Sequence, residues 1–209
     1  MVTNKNCINR LSKYKNALAR LKSLGFVKVF SDNLADAIGV TAAQVRKDFS
    51  LFGLSGSKRG GYNVDELIKS LNEILGKNKV QKVIIAGAGN IGTALMNYPG
   101  FEKEGIQIVA AFDISQDRQI EAKIPVCPLE EMKDFIRKNK IKIGIIAVPD
   151  MAAQSVLDLM TASGIEGILN FAPIRLNCSG DCIVNNVNFV FELENLIYHV
   201  SGLDKKKGQ

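Results

Sequence analysis

Histidine is nearly absent from this sequence: of its 209 residues only His199 is one. No Ser/His/Asp set can be assembled without it. Cysteine is scarce too. Cys7, Cys127, Cys178 and Cys182 are scattered along the chain. Only Cys178 and Cys182 are close, and their C-x-x-x-C spacing lacks a partner pair or a neighbouring histidine. Free thiols are expected, with no metal-ligand set. No apolar run reaches the roughly 20 residues of a membrane span, and the opening stretch MVTNKNCINR lacks the apolar core of a signal peptide. A cytoplasmic protein with no membrane partner is expected. Internal repeats and low-complexity segments are also missing.

What is present suits a soluble protein with one or two packed cores: 46% hydrophobic residues and a mean hydropathy of +0.06. The net charge of +6 is unevenly placed. Residues 1–79 hold 14 Lys and Arg against 6 Asp and Glu, whereas residues 80–209 hold 13 against 15. The positive excess therefore sits in the N-terminal third. Such asymmetry points to a nucleic-acid-binding module joined to a near-neutral domain.

The stretch Val80 to Asp113 organises the rest. Val83 to Ala86 is a short apolar run that suits a strand buried on both faces of a parallel sheet. Gly87, Gly89 and Gly92 follow in the order G-x-G-x-x-G, and Ala94 and Leu95 continue as a helix. In a dinucleotide-binding unit the first glycine makes the tight turn and the second admits the pyrophosphate. The third lets the helix pack close to the strand. A second apolar run, Ile106 to Phe112, ends in Asp113. A carboxylate at that spacing accepts from the ribose hydroxyls of NAD and disfavours the extra phosphate of NADP. A glycine turn without a ligand is the alternative.

Before this stretch, Ile8 to Leu24 reads as an amphipathic helix with Leu11, Leu18 and Leu21 on one face and Ala17 and Leu24 beside them. Arg10, Lys13, Lys15, Arg20 and Lys22 lie elsewhere around it, and Gly25 is the expected stop. Ser31 is expected to cap a short helix that ends at Gly39. Thr41-Ala-Ala-Gln44 is a capping box opening another helix, with Val45, Phe49 and Phe52 buried. Two short helices joined at Gly39-Val40 make a helix-turn-helix. Its second helix offers Gln44 and Arg46 to base edges, and Lys47 and Ser50 to phosphates. Gly53 to Tyr62 reads as a β-hairpin wing with Lys58 and Arg59 at its tip. The alternative is a basic three-helix module with a solvated face. Asp65 to Leu75 is a further helix, and Gly76 to Lys79 a polar linker at a domain boundary.

Beyond Asp113 the βα alternation continues. Pro125-Val126 is a short strand, Leu129 to Asn139 a helix, Ile141 to Val148 a strand, Met151 to Ser163 a helix and Ile165 to Leu169 a strand. Val148-Pro149 and Asn170-Phe171 fall at carboxyl ends of strands, where such sheets bind ligands, so they belong near the nicotinamide half. Plain turn chemistry is their alternative role. Phe189 to Val200 is a terminal helix whose apolar face is broad enough to pack on a second subunit. Lys205 to Lys207 is expected to be a frayed tail.

Hydride-transfer enzymes need an acid or base beside the nicotinamide. His199 lies in the proposed terminal helix, and Tyr98 has no lysine close in sequence. A sensor that reads the dinucleotide without consuming it fits better than an enzyme. The alternative is an NAD-dependent oxidoreductase with a basic N-terminal module.

The residues resemble the Rex family of redox-sensing transcriptional repressors over essentially the whole chain. The pieces that carry the likeness are Ala43 to Ser50, Gly61 to Val64, Gly87 to Gly92, Phe112-Asp113, Val148-Pro149 and Gly167 to Pro173. The resemblance implies an α/β Rossmann domain with a parallel sheet, preceded by a mainly α winged-helix domain. The expected divisions are residues 1–79, 80–188 and 189–209, the last being a C-terminal helix swapped between the subunits of a homodimer. NADH would relieve repression at palindromic operator DNA, and NAD⁺ would compete for the same site. The implied cofactor residues are Gly87, Ala88, Gly89, Asn90, Ile91, Gly92, Asp113, Val148, Pro149, Asn170 and Phe171, with Tyr98 near the nicotinamide pocket of the dimer. Gln44, Arg46, Lys47 and Ser50 would lie on the recognition helix. Two departures stand out. The family has Arg-Gly where this chain has Lys58-Arg59. It is also described as using an ion pair between an arginine of the first helix and an aspartate before the last one, where this chain has Asn16 and Asn188.

Overall fold

The computed structural model describes residues 5–57, 60–115, 124–178 and 180–207. The chain divides into two compact units, Met1–Lys79 and Val80–Gln209.

In the first unit, α1 (Lys5–Ser23) packs with α2 (Ser31–Ile38), α3 (Ala42–Leu51) and α4 (Val64–Ile74), and a two-stranded ribbon pairs β1 (Lys28–Val29) with β2 (Tyr62–Asn63) antiparallel. The core joins Leu11, Tyr14 and Leu18 of α1 to Leu34, Val45, Phe49, Leu67 and Leu71. Phe49 sits edge-on between Tyr14 and Tyr62, with ring centroids 5.2 Å from each. Burying each such side chain contributes roughly 1.5–3 kcal/mol. Gly25, at φ +86°, closes α1: Phe26 N donates to Leu21 O and Gly25 N to Lys22 O.

Several local expectations change here. Leu24 lies past the end of α1 and is exposed, so Cys7 and Tyr14 complete the buried face instead. Ser31 is not a cap: it is buried in the first turn of α2, and the Asn33 side chain accepts from Phe30 N at 2.8 Å. Asn33 thereby supplies an acceptor at the start of the helix. The Thr41 box is half formed. Thr41 Oγ1 accepts from Gln44 N, but the Gln44 amide turns to Asp48 rather than back to Thr41. A charged acceptor offers the stronger bond. Within the expected wing, Ser57 and Gly61 exchange backbone hydrogen bonds, while Lys58 and Arg59 lie outside the described residues.

The second unit is a six-stranded parallel sheet. Its strands are β3 (Gln81–Ala86), β4 (Ile106–Asp113), β5 (Val126–Pro128), β6 (Ile143–Ile146), β7 (Gly167–Asn170) and β8 (Ile183–Asn186), in the order β5-β4-β3-β6-β7-β8. The order reverses between β3 and β6, which is the switch point of a doubly wound dinucleotide fold. Ile84, Ala86 and Phe112 pack with Met132 and Ile136 of α7 (Met132–Asn139) and Val156 and Leu157 of α8 (Asp150–Ser163). Val83, Ile85 and Ala111 face the other way, with Met96 of α5 (Asn90–Met96) and Phe101 of α6 (Gly100–Lys103).

β6 is shorter than expected at both ends, starting at Ile143 and ending at Ile146, although Ala147 N still donates to Ala86 O. β8 was not expected at all. Its IVNN stretch is short and carries two asparagines, one of which serves the sheet edge as described below. The terminal helix α9 (Phe189–Lys207) continues through Lys205–Lys207 instead of fraying. Along α9, Val190, Leu193, Leu196, Ile197 and Val200 are all exposed, and Phe189 stacks on Phe171 with centroids 5.7 Å apart. Among the described residues no helix is long and apolar enough to cross a membrane.

Candidate functional site

At the carboxyl ends of β3, β4, β6 and β7 the loops enclose a cavity of about 520 Å³. It brings together Gly87, Gly89, Asn90, Ile91, Asp113, Val148, Pro149 and Phe171, eight of the residues singled out from sequence. The volume lies within the usual range of small-molecule sites. Gly87 has φ +97°, and a Cβ there would strike the Ala147 carbonyl. A Cβ at Gly92 would strike the Gly87 carbonyl oxygen, so only glycine lets α5 start this close to β3. Gly92 and the buried Ala88 thus shape the loop from behind and do not line the cavity.

Asp113 ends β4 and closes the loop. Its Oδ2 accepts from Ala88 N at 2.6 Å and its Oδ1 from Ser115 N at 2.9 Å. Each carboxylate oxygen has a second lone pair for a ligand hydroxyl. Backbone N–H groups of the glycine loop on one side and a carboxylate on the other suit a phosphate and a sugar diol, respectively. These residues fit a dinucleotide.

Besides Ala88 and Gly92, two more expected cofactor residues do not line the cavity. Asn170 is fully buried under the cavity floor and is not a lining residue. Its Nδ2 donates to Ile174 O and Asn186 Oδ1, and its Oδ1 accepts from Ala172 N. Asn186 of β8 in turn clamps Leu176 through both its N–H and C=O. The pair therefore holds the Phe171–Pro173 wall in place. Tyr98 is exposed and lies on a separate cavity of about 360 Å³, edge-on to Phe101.

In the first unit, α3 turns Arg46, Lys47 and Ser50 outward, while Val45 and Phe49 anchor it in the core. Asp48, between those anchors, is 1% exposed. Its Oδ2 accepts from Arg10 Nε at 2.6 Å and Tyr14 OH at 3.0 Å. Its Oδ1 accepts from Arg10 Nη2 at 2.7 Å, Gln44 Nε2 at 2.8 Å and the Cys7 thiol at 3.4 Å. Burial alone would raise its pKa, but the bonds from Arg10, Gln44, Tyr14 and Cys7 outweigh it and hold the carboxyl at about 2. Burial pushes the Tyr14 hydroxyl and the Cys7 thiol up, and the bond to Asp48 adds to this. Sequence reasoning missed this network. The signal was a charged residue on the apolar face of a helix, since such a group is retained only when paired.

Two family models match the chain: "CoA binding domain" over residues 78–174 and "Putative DNA-binding protein N-terminus" over residues 5–50. A redox-sensing transcriptional repressor Rex from Desulforamulus reducens is 41% identical over 200 residues, covering 95% of each chain. Crystal structures of RSP, a Rex-family repressor, superpose over the whole of this chain and 99–100% of theirs. The complex with β-NADH has 36% identity and a TM-score of 0.86, and the complex with β-NAD⁺ and operator DNA has 37% and 0.90. These likenesses extend across both units, and the chain belongs to the Rex family of redox-sensing transcriptional repressors.

Proposed function

We infer that this protein is a cytoplasmic, homodimeric repressor that reads the NADH/NAD⁺ balance and leaves its operator when NADH binds. One observation carries the reading: the glycine loop and Asp113 meet in one cavity at the switch point of the sheet. The Gly87–Gly92 loop would take the pyrophosphate, and Asp113 the adenosine ribose. Val148, Pro149 and Phe171 would flank the nicotinamide. The dinucleotide serves as a ligand whose redox state is sensed, and no group of this chain is asked to move its hydride. Asn170 acts through the wall it holds, and Tyr98 would approach the nicotinamide only across a dimer.

DNA would be met by α3, with Arg46, Lys47 and Ser50 facing it, and by the wing turn carrying Lys58 and Arg59. Repressors of a palindromic operator match its symmetry with their own two-fold axis. The exposed apolar residues of α9 are suited to pairing, and an exchange of this helix between subunits would cover them. Gel shifts with Arg46→Ala and Lys47→Ala test the DNA face. A residue that reads a base should cost about 1–3 kcal/mol, and one that contacts a phosphate should reduce the salt slope by roughly one. NADH binding should persist in both. Unchanged operator affinity in both variants would sink the assignment of α3.

A further inference from the structure

We propose that Asp48 is a positioning residue for sequence readout: it fixes the Gln44 amide so that the carbonyl oxygen of Gln44 is presented to an exocyclic amino group in the major groove. The proposal rests on the reading of α3 as the helix that meets DNA. Its starting point is the bond from Gln44 Nε2 to Asp48 Oδ1 at 2.8 Å, one turn along the same helix. An ionised carboxylate only accepts, so the amide atom facing it must be the nitrogen. Asp48 cannot swing away, because Arg10 grips both of its oxygens and Tyr14 binds one of them. The backbone of Gln44 is fixed as well, by the cap from Thr41.

With Nε2 committed inward, Oε1 is the part of the side chain left to a partner beyond the helix. The rest of the outward face supplies donors: Arg46 and Lys47 have no acceptor, and Ser50 has a rotatable hydroxyl. Gln44 therefore adds an amide carbonyl acceptor that Arg46 and Lys47 lack. Major-groove donors are the N6 amino group of adenine and the N4 amino group of cytosine. The second N–H on Nε2 could also meet N7 if the base is adenine.

The test uses the full-length protein and a randomised duplex library, followed by base-analogue substitution in the selected sequence. Wild type should demand adenine or cytosine at one position of each half-site. Replacing that base with a purine lacking the 6-amino group, or a pyrimidinone lacking the 4-amino group, distinguishes the two sources. It should cost wild type about tenfold in affinity and Gln44→Ala almost nothing. Asp48→Asn and Gln44→Asn should lose the preference at that same position, with the other positions and the salt slope unchanged. Gln44→Asn matters if Asp48→Asn fails to melt cooperatively, because its shorter arm cannot reach Asp48 and a base together. Retained preference in a folded Asp48→Asn protein, or in Gln44→Asn, overturns the positioning role. An identical selection by Gln44→Ala overturns the contact itself, and altered selection by Arg46→Ala would then show that α3 still reads DNA. A wild-type protein that selects no sequence removes both the proposal and the DNA reading beneath it.

Discussion

Arg10 of α1 holds Asp48 of α3 through two parallel hydrogen bonds, 2.6 Å from Nε to Oδ2 and 2.7 Å from Nη2 to Oδ1. The two residues are 38 apart in sequence, and the pair fixes one helix of the N-terminal unit against another. A planar guanidinium matches a carboxylate in this way and a lysine cannot.

Removing one partner of such a pair strands the other. Arg10→Met should destabilise the N-terminal unit by about 3 kcal/mol, read as faster amide exchange in α1 and α3. Acid should have a related effect on wild type. The folded pKa of Asp48, about 2, lies below its ordinary 3.8. The stability it confers is thus present above pH 4 and lost as pH falls towards 2. It amounts to about 2 kcal/mol. In Arg10→Met the folded pKa should rise towards 3.8, so less stability should be lost on acidification. Equal acid profiles for the two proteins would contradict this account of the pair.

Asp113 should decide cofactor choice. Asp113→Ala removes the acceptor for Ala88 N and Ser115 N as well as the proposed ribose contact. NADH affinity should fall, and the gap between NADH and NADPH should narrow, in fluorescence titrations. A wild-type protein that bound NADPH as tightly as NADH would rule out this role.

The apolar residues of α9 should hold two chains together. Leu193 and Ile197 are one turn apart and both exposed. Light scattering should find the wild-type protein dimeric, and Leu193→Asp combined with Ile197→Asp should yield monomers with weakened affinity for a palindromic operator. A monomeric wild type would contradict the pairing.

Much of this was legible in the sequence, for physical reasons. The glycine loop, the strand ending in Asp113 and the helices of the first unit follow from local periodicity and turn chemistry, which a single sequence displays. What escaped depended on distant partners. Asp48 looks like one more surface charge until Arg10 and Tyr14 are brought to it. Asn170 looked like a ligand-binding residue because it ends a strand, yet its amide is consumed by Asn186 of a strand too short and polar to announce itself. Ser31 lost its capping role to Asn33, two residues on.

The central claim is that the redox state of the dinucleotide sets DNA affinity. Asn188 bears on how it does so: its Oδ1 accepts from Val190 N and Phe191 N, which makes it the cap of α9, and Asn16 is exposed. Neither can supply the ion pair implied by the resemblance, and a neutral hydrogen bond is worth less than a charged one. NAD⁺ should then strengthen operator binding less than about tenfold, or 1.4 kcal/mol. The decisive measurement is the anisotropy of a labelled operator with apo, NAD⁺-saturated and NADH-saturated protein. The account predicts release by NADH and little change with NAD⁺. Operator affinity that stays the same in saturating NADH would contradict it.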